Sequence, residues 1–342
     1  MARREQFSVN KLTVGTINGA AMNCLMGRGE AYYLVPATSS TSLYRSWLEA
    51  NGLDPTKMFL TAATAEDAMK ANRGDTLFIL PGDHAVTASI TWDKSNTNIV
   101  GVGSVNQRFQ PSTLTVGGVR VKCVTTGIDN IFNITGDYVS LYNFGTFNSY
   151  DAAGNVCDIK IAGRNFYAEG CSFRGGTGAT QIATAVAGIP VYINSAVAGG
   201  GNAAYFKNCV LGSSGNTTRT KGPSCLYAIG GAAAGFNIVL EDCILSSRCE
   251  AQTGNQVSMV LLEGAYAVDR ELLFKGCNFY NFVENLANRL DVAIVDECTT
   301  THTITIDQTT TLSGVDAWAT PMTYVQCAAP VGYVTGGIGV NS

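Results

Sequence analysis

The chain has 342 residues, of which Asp, Glu, Lys and Arg make up only 14%, against about 25% in ordinary globular domains. A formal net charge of −4 with 22 Lys and Arg leaves no basic footprint for nucleic acid, and no run of about 18 apolar residues is present to span a bilayer. Glycine is enriched at 38 residues, so the surface is expected to be largely Gly, Ser, Thr and Asn, suited to packing against other subunits or to a passive, protease-resistant exterior.

Residues 1–30 carry LTVGTINGAAMNCLMGRGE without clean periodicity, which predicts an extended arm. The opening MARREQFSVNKL has charges but no apolar stretch behind them, so the Arg3-Arg4 pair is not read as an export signal. A reducing cytosol is then the expected site of synthesis, and the 11 cysteines are expected to be thiols. Over residues 31–72 the pattern changes. SSTSLYRSWLEANG places Ser/Thr caps ahead of Leu43, Trp47 and Leu48 and closes on Gly52, while TAEDAMKANRG has Thr64 before an acidic turn and Gly74 after it. Two short helices are predicted, covering the apolar N-terminal end of a repetitive region that starts at residue 73.

From residue 73 to 311 a repeat dominates. Cys171, Cys209, Cys243 and Cys277 lie at intervals of 38, 34 and 34 residues. Three positions before them stand Ala168, Phe206, Leu240 and Phe274, and two before them Glu169, Lys207, Glu241 and Lys275. Gly170, Asn208, Asp242 and Gly276 immediately precede them, and Phe173, Leu211, Leu245 and Phe279 stand two positions later. A period of this size marks a stack of units too small to bury their own apolar faces. Within NIVLED and ELLFKG the apolar residues alternate with period two, which is strand geometry and excludes helical repeats. The turn residue before each cysteine bends the chain into a new strand, so the reading is a coil of short parallel strands. An earlier coil lacks the cysteine: FNITGDYVSLYNFGTF aligns with IKIAGRNFYAEGCSF at an offset of 27, with Ile134 over Ile161, Gly136 over Gly163 and Phe144 where Cys171 sits.

These rungs, with GDTLFILPGDHAVTASITWDKSNTNIVGVG at residues 74–103, resemble the right-handed parallel β-helix of the pectate-lyase-like superfamily. The resemblance implies an all-β chain, a single-stranded right-handed parallel β-helix (solenoid) over 73–311, with the N-terminal arm (1–30), the short helical cap (31–72) and a cap or docking tail (312–342). The arrangement is also similar to β-helix proteins on the virion surface of tailed bacteriophages. That similarity implies a non-enzymatic virion protein, a capsid decoration or head-surface component, assembled in the host cytoplasm. Its expected partners are other virion proteins, the major capsid protein first, and copies of itself as a homotrimer or lattice. The alternative is a tailspike-like receptor-binding protein that binds, and in one version cleaves, host surface polysaccharide. Neither reading brings in a cofactor, a nucleic acid or a membrane.

Stacked at the interstrand spacing of about 4.8 Å, the four cysteines are read as small buried hydrophobes in a tight corner; regulatory thiols and lattice-linking disulfides are the alternatives. CxxC pairs and histidines at ligand spacing are not seen beside them, so no metal is expected there. Glu169, Lys207, Glu241 and Lys275 alternate in sign and point outward, which predicts an ion-pair ladder down one face. Polysaccharide cleavage would need paired carboxylates or a calcium-binding acid cluster. Asp129, Asp137, Asp151 and Asp158 are scattered, and Glu263, Asp269 and Glu271, with Arg270 among them, are the densest group; no catalytic residue is assigned. His84 and His302 are read as surface residues, Arg219 and Lys221 as part of a solvated loop, and the sequons at Asn133 and Asn216 as without consequence in a cytosolic product.

Overall fold

The computed structural model describes residues 29–37, 41–103, 118–176, 178–194, 203–213, 218–230, 237–251, 257–265, 267–283, 288–320 and 325–327. The expected N-terminal arm and most of the C-terminal tail lie outside the described residues. The chain is a right-handed parallel β-helix, wound from one 11-stranded and two 8-stranded sheets, here called A, B and C. Every strand pairing is parallel. One coil runs from Phe166–Glu169 in sheet A to Ser172–Gly176 in sheet B and Ile189–Asn194 in sheet C, and the next begins at Ala203–Lys207, again in sheet A. No helix of the described residues is long and apolar enough to cross a membrane.

The cysteine repeat sets the register. Phe166 pairs with Ala204, Ala204 with Ile238 and Ile238 with Leu272. The residue three before each cysteine, Ala168, Phe206, Leu240 or Phe274, is fully buried, as is the residue two after it, and all share one continuous core cluster. The offset of the cysteine-free coil is also as aligned: Ile161 pairs with Ile134, and Gly145 with Ser172. A methyl on Gly163 would lie 2.0 Å from the Gly136 carbonyl oxygen, so that column needs glycine for the approach of one coil to the next.

The corner from sheet A to sheet B is two residues long in five successive coils, and its first residue is left-handed each time: Asn143 (φ 59°), Gly170 (66°), Asn208 (52°), Asp242 (52°) and Gly276 (63°). Only Gly, and Asn or Asp at some cost, adopts this conformation routinely, which explains the residue choice immediately before each cysteine. The backbone ladder continues through the bend, with Gly170 N–H donating to Lys207 O at 3.0 Å, Asn208 to Glu241 O at 2.9 Å and Asp242 to Lys275 O at 2.8 Å.

Both ends depart from the expected boundaries. Ala31–Leu34 is a strand of sheet A, paired with Thr76–Ile79 and with Met58–Phe59, so strand pairing begins inside the segment read as a helical cap. The two helices are Thr41–Ala50 and Ala62–Ala68, and the second is capped by Thr61, not Thr64. Its Ala62 and Ala65, with Met69 beyond it, enter the main core beside Leu77 and Ile79. The buried Asp75 ties this end together, accepting from Glu30 N, Lys70 N and both Nε and Nη2 of Arg73. At the other end Val315–Thr320 extends sheet C and Val325–Cys327 extends sheet A, where a tail was expected. Ala317, Ala319 and Thr320 are too small to show an apolar alternation, although Trp318 packs edge-on against Phe279 at 5.4 Å.

Asp242 is exposed in its left-handed corner, so it isolates the backbone requirement. Asp242→Ala is expected to lower unfolding free energy by about 1 kcal/mol, while Asp242→Gly matches or exceeds the parent. Urea midpoints under reducing conditions measure this; equal midpoints for the Ala and Gly variants would show that the corner conformation carries no cost.

Candidate functional site

Cys171, Cys209, Cys243 and Cys277 form one buried column, each side chain at most 1% exposed. Each thiol above the first donates to a carbonyl of the coil before it: Cys209 to Ala168 O (3.5 Å), Cys243 to Phe206 O (3.4 Å) and Cys277 to Leu240 O (3.2 Å). Burial pushes the thiols of Cys171 and Cys243 well up from their ordinary range, which suppresses the thiolate needed for metal binding or exchange.

The charged column on the outer face keeps its register but not its ladder. Glu169 pairs with Lys207, Lys207 with Glu241 and Glu241 with Lys275. Among the described residues the ion pair found in this column is Lys275 Nζ to Glu241 Oε1, at 3.3 Å. Tyr167 donates to Glu169 and Tyr205 to Glu241. Tyr167 stands two residues before Glu169 on its own strand and Tyr205 on the strand paired with that of Glu241, so both tyrosines compete for the carboxylates.

The remaining sequence candidates are placed differently from their reading. His84 and His302, expected at the surface, are 5% and 4% exposed. His84 Nε2 lies 2.8 Å from Leu80 O, and burial holds its pKa below the ordinary value. Arg219, expected in a solvated loop, is buried and donates to the carbonyls of Gly222, Thr184 and Ala187 (2.9 Å for the last); burial brings its guanidinium down to about 10. Glu263, Asp269 and Glu271 do not converge as a trio on one strand: Glu263 lies in sheet C and accepts from Tyr227, whereas Glu271 lies in sheet A and accepts from Thr305 at 2.8 Å. The register neighbour of Glu263 is Glu297, a pairing invisible without the coil offset.

Two buried polar clusters were not singled out in the sequence. In the first, Asp158 is fully buried; its Oδ2 accepts from Thr146 Oγ1 at 2.7 Å and from Gly175 N at 2.9 Å. Burial raises its carboxyl to about 7, against the pull of those two bonds and of Arg174. Arg174 stacks over the Phe147 ring at 4.3 Å, and burial lowers it to about 10. Asp158 Oδ1 and Arg174 Nε and Nη1 are buried without a hydrogen-bond partner. Next along sheet B, Arg120 and Lys122 converge on Asp83 at 2.8 and 2.9 Å. In the second, the turn from Leu290–Cys298 into Thr303–Ile306 brings together the ligand atoms of Asp296, Cys298 and His302, all within 4.8 Å of one another. Sequence reasoning passed over this trio because it looked for metal ligands beside the cysteine column; the spacing DxCxxxH was the available signal.

No family model and no curated protein matches the chain. Among solved structures it is similar to the deglycosylated pectin methylesterase of Aspergillus niger, at 14% identity over 89% of this chain and 87% of that one, with a TM-score of 0.46. It is similar to the pectin methylesterase PemA of Erwinia chrysanthemi at 10% identity, over 90% and 92% of the two chains, TM-score 0.44. A third likeness, to ORF18 of Geobacillus virus E2, has 10% identity, covers 78% of this chain and 55% of that one, and has a TM-score of 0.36. A likeness at this level carries no statement about substrate or chemistry.

Asp158 gives the structure a pH dependence. Its folded carboxyl titrates near 7 and the free one near 3.8, so between these values the folded state holds a proton that the unfolded chain has lost, and stability falls as pH rises from about 4 to 7. The loss is expected to be on the order of 2–4 kcal/mol. Asp158→Asn should flatten that part of the profile and be at least as stable as the parent at pH 8. Parallel denaturation curves for the two proteins across this range would overturn the assignment.

Proposed function

We propose that this chain is a non-enzymatic structural protein of a bacteriophage virion, in which the β-helix serves as a rigid body on the particle surface. The observation that carries the reading is where the carboxylates go. Asp83 joins neighbouring coils through Arg120 and Lys122, Asp137 accepts Arg164 N, and Asp151 accepts Thr180 N and Gln181 N. Asp307 holds its own corner and accepts Gly276 N from the preceding coil. Acids that brace one coil to the next are the means of a stiff solenoid, and they are held by donors that a catalytic acid or base would have to release. The low charge of the sequence fits packing against other subunits, here anchorage to the major capsid protein, with self-association as a homotrimer or lattice on the virion.

A specific observation favours a second reading, recognition of host polysaccharide. On the outer face of sheet A, Tyr142, Tyr167 and Tyr205 form a row at ring separations of 5.7 Å (tilted) and 5.4 Å (edge to face), half-buried, beside Glu169 and Glu241. A row of partly exposed rings flanked by acids offers stacking and hydrogen bonding to sugar rings.

Purified protein is expected to release no reducing ends from bacterial surface polysaccharides and to appear on the head surface when particles are labelled for electron microscopy. Turnover that disappears in Glu263→Gln would replace the structural reading with an enzymatic one. Polysaccharide binding without turnover, lost in Tyr167→Ala, would select the receptor-binding reading.

A further inference from the structure

We propose that Asp296, Cys298 and His302 form a three-ligand site for a borderline divalent cation of the zinc class, closing the corner between sheets C and A near the C-terminal end of the solenoid. The three residues offer one carboxylate oxygen, one thiol sulfur and one imidazole nitrogen, the donor set such an ion prefers. Their ligand atoms lie within 4.8 Å of one another. Tetrahedral coordination at about 2.0–2.3 Å puts ligands roughly 3.3–3.8 Å apart, so side-chain rotations of about 1 Å close the set.

The surroundings orient each donor. His302 Nδ1 lies 2.8 Å from the Thr300 carbonyl oxygen, which fixes the ring with Nε2 turned to Asp296 Oδ2 at 3.0 Å. Asp296 Oδ1 accepts the Cys298 backbone N–H at 3.1 Å, so the carboxylate is held from the side opposite the ligand position. An outer hydrogen bond on each of two ligands is the usual way a protein presets a metal site. Both the His302 and Asp296 side chains are almost wholly buried, 0% and 1% exposed. Cys298 is partly exposed, whereas Cys123, Cys157, Cys171, Cys209, Cys225, Cys243, Cys249 and Cys277 are buried. Part of Cys298 is therefore open to solvent, which gives an ion a route in; burial, with Asp296 beside it, pushes the thiol up to about 12, so an ion bound there displaces its proton. The trio lies on one turn, with Cys298 in register with Gly264 of the preceding coil and Thr300 bonded to Ala265 O. An ion here would fasten the turn to that coil.

The rival arrangement is an imidazolium–carboxylate pair with the thiol as a bystander, and it binds no ion. Full-length protein, stripped with chelator and kept reduced, is titrated with Co2+ and then Zn2+. One Co2+ per chain is expected, with thiolate charge-transfer absorption in the near ultraviolet and visible bands of tetrahedral intensity, both displaced by Zn2+. Zn2+ at about 100 times its dissociation constant should raise the melting temperature by several degrees. Cys298→Ser should lose the charge-transfer band, and His302→Gln should lower affinity at least 10-fold. Absence of Co2+ binding in the parent protein would overturn the site. So would a charge-transfer band that survives in Cys298→Ser, because the ion would then sit on other thiols. The parent spectrum decides the matter without the variants should either fail to fold.

Discussion

The structure depends on one backbone requirement: the chain must pass through a left-handed residue at the same place in five successive coils. At Asn143, Gly170, Asn208, Asp242 and Gly276 the strand of sheet A ends, turns and becomes the strand of sheet B after one more residue. Since the turn recurs in register, side chains at fixed distances from it stack directly above one another. A slip of one residue would exchange Phe206, Leu240 and Phe274, all fully buried, with Lys207, Glu241 and Lys275. The bend and the burial pattern therefore enforce each other, and the thiol beside the bend is buried against the coil below, donating to its carbonyl.

This coupling explains why so much of the fold is legible in sequence. The cysteine interval, the apolar positions at minus three and plus two, and the Gly, Asn or Asp at minus one are separate signals of one geometric event. What the sequence hid is equally physical. The ion-pair ladder required Glu169, Lys207, Glu241 and Lys275 to be free for one another, but Tyr167, two residues before Glu169, and Tyr205, on the strand paired with that of Glu241, donate to Glu169 and Glu241. Glu241 still pairs with Lys275, because the Tyr205 hydroxyl takes its Oε2 and the Lys275 ammonium its Oε1. Strands poor in large apolar residues, such as Val315–Thr320, are set by pairing with a neighbour, not by their own periodicity. The candidate site was less legible, because Glu263 meets Glu297, and Asp296 meets His302, only once the coil offset and the turn geometry are known.

Arg219 and His302, misread as surface residues, share one cause. In the two-residue corner the backbone groups continue the ladder, so nothing there demands a side-chain donor. The other corners are longer and irregular, and their carbonyls turn inward without strand partners. Arg219 is drawn in by the oxygens of Gly222, Thr184 and Ala187, and His302 by that of Thr300. A buried carbonyl left unpaired costs about 1–3 kcal/mol, comparable to the penalty for bringing in a hydrogen-bonded polar side chain. Polarity in the sequence is thus a poor guide to exposure at such corners.

Each coil therefore divides its labour between two kinds of corner. The short corner with its cysteine column tolerates little change in length, since an added residue breaks the register of every coil stacked on it. The long corners carry no register and accumulate buried acids, guanidinium groups and imidazoles, held by backbone carbonyls at Arg219 and His302 and by the Phe147 ring at Arg174. Asp158, Arg174, Arg219, Asp296 and His302 are all buried there or at the strand ends that lead into them. In this protein the buried groups with shifted protonation, such as Asp158 near 7, and the donor trio of Asp296, Cys298 and His302, are therefore found away from the repeat that specifies the fold. Chemistry can change at these corners without disturbing the turn that holds the coils in line.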